Sequence, residues 1–299
     1  MTGCPESGNP GTENGSGIDN GNANGNGNAN GNGSGTDNGN ANGNGNGNGN
    51  GNGSGTDNGN GNGNGNEGPP VYDLTTKTGI EAYIADHWEE YGYSEKPTKY
   101  IALSFDDGPS GVTRNLLNAL DAHKVKATFF LIGQNVRGNK AAVQAIFNAG
   151  HEIGNHSDGY DSLGGSKPVE AITTSLNAAS QAISEITGTD PVLFRAPNVN
   201  YGANLTQVCT ELGLAIIGVS VWSSDWQDSV TTAQIIANVI NNPQDGGIIN
   251  CHEYAKTVDA LPDMIDGLRN KGFWIMTVGE LAIVKDKTLA AGTQYDSVN

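Results

Sequence analysis

Two adjacent carboxylates, Asp106 and Asp107, stand directly after an apolar run in Ser-Phe-Asp-Asp-Gly-Pro. Paired anions raise one another's pKa, so each needs a partner or a task. One of them could bind a metal while the other takes a proton. His156, Arg195, Asp225 with Trp226, and His252 stand at the ends of other apolar runs. Together they supply the parts of a metal-assisted hydrolysis. A divalent ion acidifies water and polarises an acyl oxygen. A carboxylate then accepts the water proton, and a histidine near its neutral pKa gives one to the departing group. An Asp-Asp pair in a loop is ordinarily just a turn; its place at a strand end makes this one specific. His151 imitates a zinc helix motif in His-Glu-Ile-Gly-Asn-His, but it lies five residues from His156, and neither a helix nor a strand presents both to one side. His151 is expected to pack behind the site, and His87 and His123 read as surface or satisfied structural residues.

These residues need strands to hold them. Lys-Tyr-Ile-Ala-Leu-Ser-Phe reads as a buried strand, Tyr100 to Phe105, that ends in the polar Asp106–Asp107 turn. Helices are expected over Thr113 to His123, Lys140 to Ala149, Pro168 to Thr187, Leu205 to Leu212, Thr232 to Asn241 and Asp259 to Lys271. Between them lie the strand segments KATFFLIG, His151 to Gly154, PVLFRAP, AIIGVSVW, GGIINCH and FWIMTV. About seven strand–helix alternations predict an α/β fold with a parallel sheet, a closed or nearly closed barrel of about seven strands, whose function sits at the carboxyl ends of the strands. Strand alternation places Trp222 in the core, while Trp226, beside Asp225, belongs to the pocket wall. Trp226 and Trp222 are the candidates for stacking on a sugar face.

Five short segments, SFDDGP, GHEIGNHS, FRAP, SSDW and INCH, follow one another in an order and spacing that resemble the motifs of the polysaccharide deacetylase family, also called carbohydrate esterase family 4. The resemblance covers roughly Thr98 to Leu281. It implies a distorted β/α barrel that binds one divalent metal, zinc or else cobalt, nickel or manganese. The implied activity is removal of an acetyl group from an N-acetyl sugar or from acetylated xylan. It implies Asp106 as the general base toward the attacking water, Asp107 and His156 as metal ligands, and Arg195 as the ion-pair partner of Asp106. Asp225 would orient His252 and keep it protonated, His252 would be the acid, and the backbone N–H of Asn198 would help stabilise the oxyanion. Pro197 and Trp226 would contact substrate. Two departures stand out. Tyr160 occupies the position of the family's second metal-binding histidine, and a phenol whose pKa is near 10 is a poor ligand at neutral pH; Asp158 or Asp161 could substitute. Where the family commonly has Tyr-Gly after the proline, this chain has Asn-Val-Asn-Tyr-Gly, which keeps the backbone donor but changes the groove.

The 299 residues carry 15 Lys and Arg against 32 Asp and Glu, a net charge of −17, which argues against nucleic acid or an anionic membrane surface as a partner. No apolar run reaches the length of a membrane span. More than half of the 45 glycines fall before residue 69, in a Gly/Asn tract that repeats itself from Gly15, Gly33 and Gly53. That tract cannot bury enough apolar surface to offset ordering, so residues 1–68 are expected to be a disordered linker to further modules, and 69–299 one catalytic domain. Asn14, Asn32 and Asn52 open Asn-Gly-Ser sequons, which the composition of the tract accounts for by chance. A secreted, multimodular polysaccharide-degrading protein is the expectation; since Met-Thr-Gly-Cys-Pro shows no signal peptide, the chain is expected to be either a mature or excised fragment or a cytosolic protein. Cys209 and Cys251 are expected to be buried thiols rather than a bridge.

Overall fold

The computed structural model describes residues 70–160, 163 and 167–299; the linker and the sequons lie outside the described residues. The centre of the fold is β1 (Lys99–Gly108), which pairs in parallel with β2 (Thr128–Leu131), β7 (Gly247–His252) and, through its first half, β8 (Phe273–Met276). From β2 the sheet continues through β3 (Glu152–Asn155), β4 (Leu193–Phe194) and β5 (Ala215–Ile217) to β9 (Gln294–Tyr295), while β6 (Val221–Trp222) flanks β7. All these named pairings are parallel, as the alternation of strands and helices predicts. Among the described residues the sheet has nine strands rather than about seven. AIIGVSVW breaks into β5 and β6 around Gly218, and a C-terminal strand joins the far edge.

The tail after β9 draws the two sides of the curl together. Gly218 donates its N–H to the Tyr295 carbonyl, Val298 donates to the Gly246 carbonyl, and Ser297 bridges Gly247 in antiparallel fashion. Helices α2 (Thr113–Ala122), α4 (Lys140–Asn148), α5 (Val169–Thr187), α6 (Ala203–Glu211), α7 (Thr232–Asn241) and α8 (Ala255–Asn270) occupy the expected stretches, α8 starting four residues early. The short helices α3 (Gly133–Gly138) and α9 (Val278–Val284) are additional; α9 opens on a capping box between Thr277 and Glu280. Helix α1 (Lys77–His87) precedes the sheet and buries Ile80 and Ile84.

Side chains alternate across each strand, and this alternation sorts the core from the site. On β1, Ile101, Leu103 and Phe105 pack into the apolar layer that also holds Leu116, Leu120, Leu261 and Met264 of α2 and α8. Ala102 belongs instead to the inner cluster with Phe130, Ile217 and Ile248, and Ser104 and Asp106 follow it on the same face. Likewise Ile249 and Cys251 of β7 face the helices, which turns Ile248, Asn250 and His252 inward. Cys209 and Cys251 are separate buried thiols, as expected.

Candidate active site

The register of β1 against β7 sets Ser104 opposite Asn250 and Asp106 opposite His252, so four inward polar side chains share one end of the curl. Arg195, two residues beyond Leu193 on the inward face after β4, reaches this group fully buried. Its Nη1 donates to Asp106 Oδ1 at 2.7 Å and to Ser104 Oγ at 2.8 Å, while Nε and Nη2 meet the carbonyls of Ile217 and Gly218. Its guanidinium also lies 4.1 Å from the Phe130 ring centre. Asn250 Nδ2 donates to the second oxygen of Asp106 at 2.8 Å. Burial alone would raise the Asp106 pKa, but Arg195 above all, with His156 and His252, outweighs it and holds this carboxyl below its ordinary value.

His252 forms the other half. Its Nδ1 lies 2.7 Å from Asp225 Oδ1, and its backbone N–H and the Thr257 hydroxyl both donate to Asp225 Oδ2 at 2.7 Å. Asp225 is therefore fully buried yet satisfied. Burial depresses the His252 pKa, but the Asp225 hydrogen bond and the charges of Asp106, Asp225 and Asp107 override it, so the imidazole titrates above its ordinary value.

Asp107 and His156 face each other across the cleft, His156 Nε2 lying 3.3 Å from Asp107 Oδ1. His156 Nδ1 is 2.7 Å from the Arg195 carbonyl, which can only accept, so that nitrogen carries the proton and Nε2 turns toward the carboxylate. Asp107 Oδ1 is buried without a hydrogen-bond partner. An imidazole nitrogen turned toward a carboxylate oxygen that lacks a hydrogen-bond partner fits a cation, with the second imidazole nitrogen oriented by a carbonyl as in metal-ligating histidines. Asp107 is in the left-handed region (φ 69°) and its carbonyl accepts from Asn135 Nδ2. The turn after His156 is fixed by Asn155, whose Oδ1 accepts from the Ser157 N–H at 2.7 Å.

Among the described residues no third His, Cys, Asp or Glu completes this pair. Both Asp158 oxygens are taken by Arg137, at 2.7 and 3.0 Å, and Asp161 lies outside the described residues. Tyr160 is in the cleft wall with its hydroxyl 3.2 Å from Asn198 Oδ1. Partial burial, then the charges of Asp107, Tyr254 and Asp106, raise its pKa, which keeps the phenol protonated. The residues present therefore fit a divalent ion held by one carboxylate and one imidazole.

The cleft has a volume of about 300 Å³. Asn198 (φ 58°) and Val199 (φ 51°) line it in left-handed conformations, Val199 at real cost because it is β-branched. Pro197 is buried and does not line the cleft; its neighbour Ala196 does. Trp222 does not join the core: β6 is two residues long, Val221 takes the buried side, and Trp222 is 40% exposed in the cleft wall, 5.5 Å from Trp226. Trp226 meets His252 edge to face and Tyr254 stacks on it, each at 5.7 Å. His151 is buried behind the strands, where its Nδ1 accepts from the Ala127 N–H. The Nδ1 atoms of His87 and His123 pair with helix carbonyls, consistent with a structural place.

Sequence reasoning passed over Asn250, Glu253 and Tyr254. Buried Glu253 pins the loop after Asp107 by accepting from the Ser110 N–H at 3.0 Å and the Ser110 and Thr113 hydroxyls. The available signal for Asn250 was its polarity inside an otherwise apolar strand, on the same face as His252; nothing in the spacing marked the other two.

The polysaccharide deacetylase family model matches residues 93–217. A bifunctional xylanase/deacetylase from Pseudobutyrivibrio xylanivorans is 36% identical over 198 residues, 65% of this chain and 32% of that protein. The peptidoglycan-N-acetylglucosamine deacetylase PgdA of Listeria monocytogenes is 36% identical over 205 residues, 67% of this chain and 42% of that protein. The chain thus spans well under half the length of these curated relatives. The solved structure of a family 4 acetyl xylan esterase from Clostridium thermocellum in complex with a cobalt ion superposes with a TM-score of 0.63 and 34% identity, covering 67% of this chain and 99% of that one. Since this chain covers 99% of a family 4 esterase at 34% identity and the family model matches residues 93–217, the chain belongs to the polysaccharide deacetylase family, carbohydrate esterase family 4, a family of hydrolases.

Proposed function

We propose that this domain removes O-acetyl groups from acetylated xylan by metal-dependent hydrolysis. The observation that carries the reading is the pairing, within one cleft, of a carboxylate held ionised by Arg195 with an imidazole held protonated by Asp225, beside the Asp107–His156 pair. Asp107 and His156 would hold a divalent ion, which would supply positive charge to acidify water and polarise the acyl oxygen. Asp106 accepts the proton of the water that attacks the acetyl carbon, and the backbone N–H of Asn198 stabilises the charge on the acyl oxygen. As the acyl bond breaks, His252 protonates the departing sugar oxygen, yielding acetate and a free hydroxyl. A binding protein without turnover has no use for this full set of base, ion-pair partner and acid.

Four of the five exposed aromatic side chains among the described residues, Tyr160, Trp222, Trp226 and Tyr254, collect at this cleft, Phe147 being the fifth. Such a patch marks a binding surface, here one for the apolar faces of sugar rings. The single imidazole ligand, in an otherwise oxygen-rich setting, favours cobalt, nickel or manganese over zinc, and the esterase relative carries cobalt. The xylanase/deacetylase relative supports the ester reading, the Gly/Asn tract fits a tether within a secreted multimodular enzyme, and the PgdA relative supports a second reading, amide deacetylation of N-acetylglucosamine polymers. Acetate release from acetylated xylan and from chitooligosaccharides, by chelated protein given back zinc, cobalt or nothing, separates them. Metal-dependent release chiefly from xylan is expected; release chiefly from the amino sugar moves the protein to the amide deacetylases, and activity with zinc alone overturns the metal preference.

A further inference from the structure

Asn250 has no part in the chemistry above, yet it occupies the floor of the cleft. Its neighbours in β7 are Ile248, Ile249 and Cys251, all buried, and Asn250 itself is 2% exposed. An ionised carboxylate can face only the NH2 end of an amide, so the 2.8 Å contact with Asp106 Oδ2 fixes which way Asn250 points. Its Oδ1 is thereby turned away, buried and without a hydrogen-bond partner. An orphaned carbonyl oxygen carries its full desolvation cost, which a leucine in this apolar strand would avoid. The amide therefore carries one buried oxygen without a partner, and what its nitrogen contacts is the proposed base.

Resting on the reading of Asp106 as base, we infer that Asn250 is a positioning residue for that carboxylate. Arg195 holds Oδ1 alone, which leaves the carboxylate free to rotate about its bond to Cβ; the second contact, on Oδ2, fixes its plane. One lone pair of Oδ2 then remains for the proton of the attacking water. Asn250 makes no hydrogen bond to Asp107 or His156, so its contribution falls on turnover and leaves metal binding alone.

Asn250→Leu and Asn250→Ser, compared with the wild type as cobalt-loaded protein, test this. Both are expected to lower kcat by about 10- to 100-fold, the range for misplacing a general base, with the cobalt dissociation constant within about twofold. Unchanged kcat, or kcat and cobalt affinity falling together, overturns the inference and leaves the hydrolase reading standing. A denaturant double-mutant cycle reads the contact without any substrate. Asn250→Leu should shift the midpoint more favourably in an Asp106→Ala background, where the amide has lost its partner, than in the wild type, and equal shifts in the two backgrounds refute the hold. Coupling in that cycle without acetate release by the wild type would sink the hydrolase reading while supporting the hold on Asp106.

Discussion

Asp106 and His252 are pushed in opposite directions by their surroundings, and that separation sets the pH range in which both are in their working states. Asp106 must be ionised to act as base, so activity is lost as pH falls through a pKa below the ordinary 3.9 or so; His252 must be protonated to act as acid, so activity is lost as pH rises through a pKa above about 6.5. The kcat/KM profile should be a bell with limbs at those displaced positions. Asp225→Asn removes the leading cause that raises the His252 pKa, so the basic limb should move to lower pH and kcat should fall. A basic limb that does not move would separate Asp225 from the titration of His252. At Tyr160, substitution by histidine should tighten zinc, read by competition with a chelator; unchanged affinity places that side chain outside the metal shell. The motif residues were legible because each is a chemically unusual type at a strand end. Asn250 and Glu253 were not, because their roles arise from the register of β1 against β7 and from a loop folding back on it, which no local spacing encodes.

At the scale of the elements, periodicity located β1, β2 and β7 because their side chains alternate between an apolar helical layer and an inner face. It placed β4 within the longer PVLFRAP, ran β5 and β6 together as AIIGVSVW, and could not locate β9, which is two residues long and contains no full period. Trp222 was misplaced for that reason: the alternation was run through Gly218, where the chain leaves the strand. His151, between α4 and β3, supplies a stability test. Burial, with a smaller effect of Lys126, lowers its pKa to about 4, while the unfolded chain titrates near 6.5. Between these values the unfolded state binds the extra proton, so stability should fall as pH drops from about 6.5 to about 4, by roughly 3 kcal/mol for this group. His151→Gln should remove that part of the slope in denaturant titrations; an unchanged slope would mean the imidazole is solvated.

For the whole molecule, the alternation of elements anticipated a parallel α/β fold, but not the way its C-terminal tail ties β5 to β7. Gly218 receives the tail on its N–H side and holds Arg195 through its carbonyl, so closure and site share one residue. Deleting residues 293–299 removes those backbone bonds and the buried Val298, a loss of roughly 4 kcal/mol. A lower thermal midpoint and a lower kcat are expected together; unchanged kcat would show that Arg195 needs no support from the tail. The division of labour between the two adjacent carboxylates tests the central claim most directly, through acetate release and cobalt binding measured on the same preparations of Asp106→Asn and Asp107→Ala. The predicted result is that Asp106→Asn binds cobalt within a fewfold of the wild type and releases no acetate, whereas Asp107→Ala loses both. Equal metal loss in the two variants, or acetate release by Asp106→Asn at the wild-type rate, would contradict it.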